Sequence, residues 1–342
     1  MQAKSFSPVG LRQSLLRRVL FAAVVLCCAQ ACVPAASAES RARKAAWETC
    51  AQPGAEIDAR IAACTQLLGK EKKANLASVY NNRGNLYFAE HDYDKAIQDY
   101  TQALHLKSDF SLALNGRAAA FESEGHLRQA IQDYDRAVAA DPDYAAAFDG
   151  RGTAYFSLGE IDLAIDSFDH AILLRPDDAI AYNNRGTAWL EKEDYAAALR
   201  DFAQAIRLDG RYRDAYINRG IALSRQQQYA DAIKDYSTAL ALNPDSTRAL
   251  AGRAAALMAS GRIDSAIQDY TASIHLKPGD ARIYNARGKA YRQKGDLAQA
   301  TQDFAMAVRL TVTTAAADTT VAAPGNPMTA NMAETNQLHP RP

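Results

Sequence analysis

An arginine recurs every 34 residues, at Arg83, Arg117, Arg151, Arg185, Arg219, Arg253 and Arg287, with no slip over seven copies. A fixed period of this length means that one small unit has been copied in tandem. Such a unit cannot bury its apolar face alone and gains a core only by stacking on its neighbours.

With Ala77 as position one of the first copy, position 8 is Gly or Ala in every copy, and position 20 is always Ala, from Ala96 to Ala300. Position 24 is aromatic throughout: Tyr100, Tyr134, Phe168, Phe202, Tyr236, Tyr270 and Phe304. Large and small side chains alternate as two packed surfaces require. The apolar positions 4, 8 and 11, then 17, 20, 21, 24, 27 and 28, follow spacings of three and four. The pattern predicts two amphipathic helices per copy. Gly125, Gly159, Gly261 and Gly295 mark the turn between them, Asp92, Asp194 and Asp296 are candidate N-caps of the second helix, and Pro142, Pro176, Pro244 and Pro278 mark its end.

The period, Gly at position 8, the aromatics at 11 (Tyr87, Phe121, Tyr155, Trp189, Tyr291) and 24, Ala at 20 and Pro at 32 resemble the tetratricopeptide repeat (TPR) over about 240 of 342 residues. The Asn-Arg-Gly cassette at Asn184 to Gly186 gives these copies the look of a bacterial exported type. Departures are Arg at position 7 in all seven copies, Leu223 and Leu257 at position 11, and Ser108, Gly210 and Val312 in place of proline. The resemblance implies an all-α fold, an α-solenoid coiled into a right-handed superhelix of tandem helix-turn-helix units.

The array occupies 77–314 and is flanked by three other segments. Residues 1–38 read as a signal peptide: Lys4, Arg12, Arg17 and Arg18 precede an apolar run from Val19 to Val33, and Ala36-Ser37-Ala38 forms a small-residue cleavage site. An uncleaved anchor or a lipid-modified Cys32 are the alternatives. The full chain carries 39 basic and 39 acidic residues, so removing four cations leaves a net charge of −4. That balance gives no footprint for nucleic acid. Residues 39–76 read as a degenerate helical hairpin capping the array, with Cys64 in the slot of the position-24 aromatic. Cys50 and Cys64, the pair left after cleavage, are expected to form a disulfide; two buried thiols are the other reading. Residues 315–342, rich in Thr, Ala, Asn and Pro, read as a disordered tail. That leaves the last helix, Gln299 to Leu310, open to a fold-back segment or to self-association.

No motif for catalysis, cofactor or metal is present, and the six histidines do not cluster at ligand spacing. The arginine row faces an acid at position 23 in six copies of seven, with Ser167 as the gap. Arg–Asp pairs between helices are the expected use, against a ladder of ligand-binding arginines as the alternative. The TPR resemblance implies a non-catalytic scaffold that binds a protein or peptide partner on its concave face, here in the cell envelope, periplasmic or secreted. The runner-up is a platform subunit of an envelope enzyme or carbohydrate-binding complex. Carrying the family's groove positions over gives Asn81, Asn85, Asn115, Asp149, Asn183 and Asn285 as candidate contacts. Charge is expected to split along the groove: Glu122, Asp149 and Glu191 lie early, whereas Arg225, Arg248, Arg282, Lys289 and Arg292 lie late, with Asp214 as exception. A partner's acidic end should then meet Arg248, Arg282 and Arg292. The family's clamp for a terminal carboxylate is missing, since Asn81 replaces its lysine.

Overall fold

A computed structural model describes residues 39–52, 54, 56–69 and 73–318. The leader and most of the tail expectations fall on 1–38 and 319–342, outside the described residues. Sixteen helices and no strand occur among the described residues. A first hairpin pairs α1 (39–51) with α2 (Ile57–Leu68). Seven further pairs follow. They are α3 (Lys73–Ala89) with α4 (Tyr93–Leu106), α5 (Ser111–Ser123) with α6 (Leu127–Ala140), and α7 (Ala145–Ser157) with α8 (Ile161–Leu174). Next come α9 (Ala179–Glu191) with α10 (Tyr195–Leu208), α11 (Arg213–Arg225) with α12 (Tyr229–Leu242), α13 (Thr247–Ala259) with α14 (Ile263–Leu276), and α15 (Ala281–Lys294) with α16 (Leu297–Asp318). Each helix packs on its sequence neighbours, so the whole is an α-solenoid.

The two helices of a copy are joined by one residue at position 15 in the left-handed region. Four copies place Gly there, as Gly125 (φ 79°), and three do not: His91 (59°), Glu193 (61°) and Gln227 (61°). The turn is therefore set by packing, and side chains that dislike it are carried along. Asp92, Asp194 and Asp296 do cap the second helices, accepting from the backbone N–H of Lys95, Ala197 and Gln299. Each second helix of the first six copies ends on an extended residue, such as Asp141 (φ −143°) before Pro142 and Lys107 (φ −143°) before Ser108. The geometry that proline favours in its predecessor persists where proline is missing.

At the start of the array the Cys50 and Cys64 sulfurs are bonded, both side chains fully buried. Thr65 then stands at the equivalent of position 25 and accepts from Arg83 Nη1 at 2.9 Å. At the other end α16 runs to Asp318, eight residues past Leu310, into the stretch read as tail. Val308 and Val312 on it are each 65% exposed, because no following copy covers them.

Successive first helices (α3, α5, α7, α9, α11, α13 and α15) pack against one another, and the second helices do so far less. The array curls with its first helices inside. Their exposed edges form the inner face.

Candidate partner-binding face

The arginine row is structural. Arg83, Arg117, Arg185, Arg219, Arg253 and Arg287 each grip the position-23 aspartate of their own copy with two nitrogens, at 2.6 to 2.8 Å. The aspartates are nearly buried, at 4 to 8% exposure, and hydrogen bonding to them raises the pKa of Arg83, Arg219, Arg253 and Arg287. The remaining nitrogen reaches back to position 25 of the preceding copy: Arg117 to Thr101, Arg253 to Ser237, Arg287 to Thr271, Arg185 to Asp169. These guanidiniums tie two copies together; Arg219, which meets Ala203 at that place, holds only the aspartate of its own copy. In copy three, where Ser167 replaces the acid, Arg151 donates to the Ser167 hydroxyl at 3.1 Å and pairs with Asp135 of the copy before at 3.0 Å.

The inner face is governed by a second rule. The ring at position 24 reaches the next copy's position 6, and the two residues vary together. After Tyr100, Tyr134 and Tyr236 come Gly116, Gly150 and Gly252; after Tyr270 comes Ala286; after Phe168 and Phe202 come Asn184 and Asn218. A Cβ at Gly116 would lie 2.6 Å from Tyr100 Cζ, and one at Gly150 would lie 2.5 Å from Tyr134 Cζ. The tyrosine's outer end occupies the space that a side chain would need. Where phenylalanine stands at position 24, as at Phe168 and Phe202, asparagine follows.

That choice decides the polar chemistry between first helices. Asn184 Nδ2 donates to both oxygens of Asp149, at 3.2 and 3.4 Å. Asn218 Nδ2 donates to Asn183 Oδ1 at 2.9 Å and to Thr187 Oγ1 at 3.4 Å, and Asn218 Oδ1 accepts from Arg248 Nη2 at 2.6 Å. Where Gly116 stands instead, Asn81 of the preceding copy, 5% exposed, leaves Oδ1 without a hydrogen bond.

Glu122 and Asp149 carry the largest carboxyl perturbations among the described residues. Glu122 is 5% exposed; its Oε2 accepts from the Tyr134 hydroxyl at 3.1 Å, and Oε1 has no partner. Burial, with Asp149 nearby, pushes its pKa up to about 8. Burial and the Asp178 carboxylate push Asp149 up to about 7, opposed by the Asn184 bond. Arg248 shows the converse, its pKa lowered by burial and partly restored by Asp214.

Three models of the family "tetratricopeptide repeat" match residues 77–110, 152–192 and 217–313, together just over half of the chain. The chain belongs to the tetratricopeptide repeat family. Similar solved structures agree on the TPR fold. A tetratricopeptide repeat protein from Parabacteroides merdae is 16% identical with a TM-score of 0.57, covering 77% of this chain and 100% of that one. The APC/C hetero-tetramer Cut9–Hcn1 is 19% identical with a TM-score of 0.59 over 68% of this chain, which spans 48% of that protein's chain. PilW, a type IV pilus biogenesis factor, is 24% identical with a TM-score of 0.54, covering 56% and 90% of the two chains. A search of curated proteins found no match.

The expected TPR groove residues divide on this frame. Asn81, Asn115 and Asn183 are wedged between first helices at 3 to 5% exposure rather than standing open to solvent, because position 5 faces the next copy. Asn285 is exposed, since no copy follows, and Asn85 accepts from the Tyr100 hydroxyl at 2.7 Å. Arg248 joins the Asn183–Asn218 set. Arg282 turns back on Asp280, the N-cap of its own helix, at 2.8 Å, and Arg292 lies over the Phe304 ring, 5.8 Å from its centroid. The charge split is therefore weaker than residue signs suggest: Glu122 is largely protonated at pH 7, and Arg282 is already paired. Asn184 and Asn218 were missed, although their signal, Asn at position 6 only after a non-tyrosine at 24, is present in the sequence. The histidines at 91, 105, 126, 170 and 275 are exposed, and no group of three potential ligands able to hold a metal occurs among the described residues. No described helix is long and apolar enough to cross a membrane.

Proposed function

We propose that this chain is a non-catalytic scaffold of the bacterial cell envelope, holding a polypeptide segment of a partner protein on the inner face of its first helices. The observation that carries the reading is the polar inner face itself: the partly exposed Asp149 and the exposed Leu112 lie on it, over buried acceptors of Asn81 and Glu122 that the fold leaves unpartnered. Extended or helical peptides supply backbone and side-chain donors to such a surface. The candidate contacts are Asn81, Asn85, Asn115, Asp149, Asn183, Arg248, Arg282, Asn285 and Arg292. The envelope location rests on the leader-like 1–38 and on the Cys50–Cys64 bond, which suits an oxidising compartment. Similarity in fold to a pilus biogenesis factor is compatible with it.

A photo-reactive residue placed in living cells at Leu112, position 2 of α5 and 48% exposed, should capture the partner. One at Leu173, on second helix α8 and 78% exposed, should not. Equal capture from both would refute the inner-face reading. A second contact is favoured by α16, where Leu297, Val308 and Val312 are 64 to 65% exposed: self-association through this helix. Sedimentation that stays monomeric at all concentrations would remove it.

A further inference from the structure

The inner face differs along its length in whether the chain fills it with its own cation. In the later copies Arg248 enters from position 2 of α13, gives Nη2 to Asn218 Oδ1 at 2.6 Å, and lies in the field of Asp214. The groove between first helices therefore accepts a guanidinium and has acceptors to hold it. In copies two to four the corresponding position 2 is Leu112, Ala146 or Ile180, none of whose side chains can donate. The acids there remain. Asp149 receives only the Asn184 amide, at 3.2 and 3.4 Å, and Glu122 leaves Oε1 without a partner although its side chain is nine-tenths buried.

The groups around this pair relieve it only in part, Tyr134 lowering the pKa of Glu122 and Asn184 and Arg175 lowering that of Asp149. On α6, Tyr134 donates to Glu122; at the start of α7, Tyr144 is half-buried and neutral, its pKa pushed up to about 12 by burial. Beyond α8, Arg175 is paired with Asp178 at 2.7 Å, and Asp178 also caps α9 through Ile180 N–H at 3.0 Å. On α7, Arg151 is held on Ser167 and Asp135. No lysine or arginine among the described residues pairs with Glu122 or Asp149. Burial keeps the protons on both carboxyls, displacing them upward to about 8 and about 7; Asp149 adds to the effect on Glu122, Asp178 adds to that on Asp149, and Arg175 opposes the latter. A metal ion does not suit the place, because no third His, Cys, Asp or Glu joins the pair in a ligand geometry among the described residues.

We propose that Glu122 and Asp149 form a subsite for a basic side chain, arginine or lysine, of the bound polypeptide, doing for the partner what Asn218 does for Arg248. The subsite rests on the inner-face reading and gives it a direction. The partner's basic residue meets copies two and three. Asp149, partly exposed, is met first, and the buried, unpartnered Glu122 Oε1 lies behind it, a planar guanidinium being able to serve both carboxyls.

The test uses the full chain with its Glu and Asp carboxyl carbons labelled with carbon-13. The midpoints of Glu122 and Asp149 are followed by NMR with saturating N-acetyl-arginine methylamide, and separately with its uncharged analogue N-acetyl-citrulline methylamide. The arginine compound should lower both midpoints by at least one pH unit, the citrulline compound neither. Glu122→Gln and Asp149→Asn, which keep shape and remove charge, should each weaken binding of the arginine compound about tenfold, while Asp214→Asn leaves it unchanged. Unmoved midpoints, or equal movement by both compounds, would overturn the subsite. Partner capture from Leu112 with unmoved midpoints would leave the inner-face reading standing and remove the subsite; moved midpoints without capture would do the reverse.

Discussion

Tyr134 and Phe202 hold the same position in copies two and four, are both fully buried, and leave different inner faces behind them. The tyrosine is followed by Gly150, so no position-6 amide joins the first helices of copies two and three, and Glu122 takes the hydroxyl while its second oxygen stays unpartnered. The phenylalanine admits Asn218, which closes Asn183, Thr187 and Arg248 into one network. The two junctions thus lie in an acceptor-rich stretch and a saturated one. Specificity in such an array can be altered by core residues that never touch a partner.

The largest expected effect lies in what both stretches share. Asp235→Ala strips Arg219 of its carboxylate, and Ala203 stands where other copies offer a second acceptor. The loss should be roughly 2 to 4 kcal/mol in urea unfolding, between the limits for exposed and buried pairs. Ser167→Ala at the equivalent place should cost only about 0.5 to 1 kcal/mol, one neutral hydrogen bond.

The saturated and unsaturated stretches should separate next. Asn218→Ala removes two donated bonds and one accepted from a cation, at a cost of about 1 to 2 kcal/mol. Asn81→Ala, whose Oδ1 bonds nothing, should stay within about 0.5 kcal/mol of the parent. Equal costs in parallel denaturation curves would erase the distinction.

Much of this array could be read from the sequence, and the parts that could not share a cause. Period, helix pairs, aspartate caps and the Arg–Asp pairs depend on residues within one copy, so alignment of copies exposes them. Glu122 and Asn81 were visible as polar residues at groove positions, but their burial depends on how closely adjacent first helices approach, which a single copy does not encode. The end of α16 was placed at Leu310 because no repeat residue follows; the helix persists to Asp318 because Thr and Ala continue it without a breaker. His91, Glu193 and Gln227 hid the turn at position 15 for the converse reason, the conformation being imposed from outside the segment.

A smaller, pH-dependent effect belongs to the acceptor-rich stretch alone. Glu122 and Asp149 titrate at about 8 and about 7 in the fold, against ordinary values of 4.5 and 3.8. Between about pH 4 and pH 8 the folded chain therefore holds protons that the unfolded chain has released. Their contribution to stability is complete below about pH 4 and is lost as pH rises, with a slope of up to about 1.4 kcal/mol per pH unit for each proton. Glu122→Gln should flatten that fall in urea midpoints taken from pH 5 to 8. Smallest of all, Glu193→Gly and Gln227→Gly should each raise stability by about 0.5 to 1 kcal/mol, by removing a side chain from a left-handed residue.

The account rests on the tyrosine side chain excluding anything larger than alanine from the next copy, and a double-mutant cycle on Tyr134 and Gly150 measures how much of that exclusion the hydroxyl carries. Gly150→Asn alone should cost roughly 3 kcal/mol by overpacking. In a Tyr134→Phe background, which recreates the Phe202–Asn218 junction, the same substitution should cost less than half as much, a coupling of about 1.5 to 3 kcal/mol. An identical cost in both backgrounds would contradict the rule and, with it, the division of the inner face into two stretches.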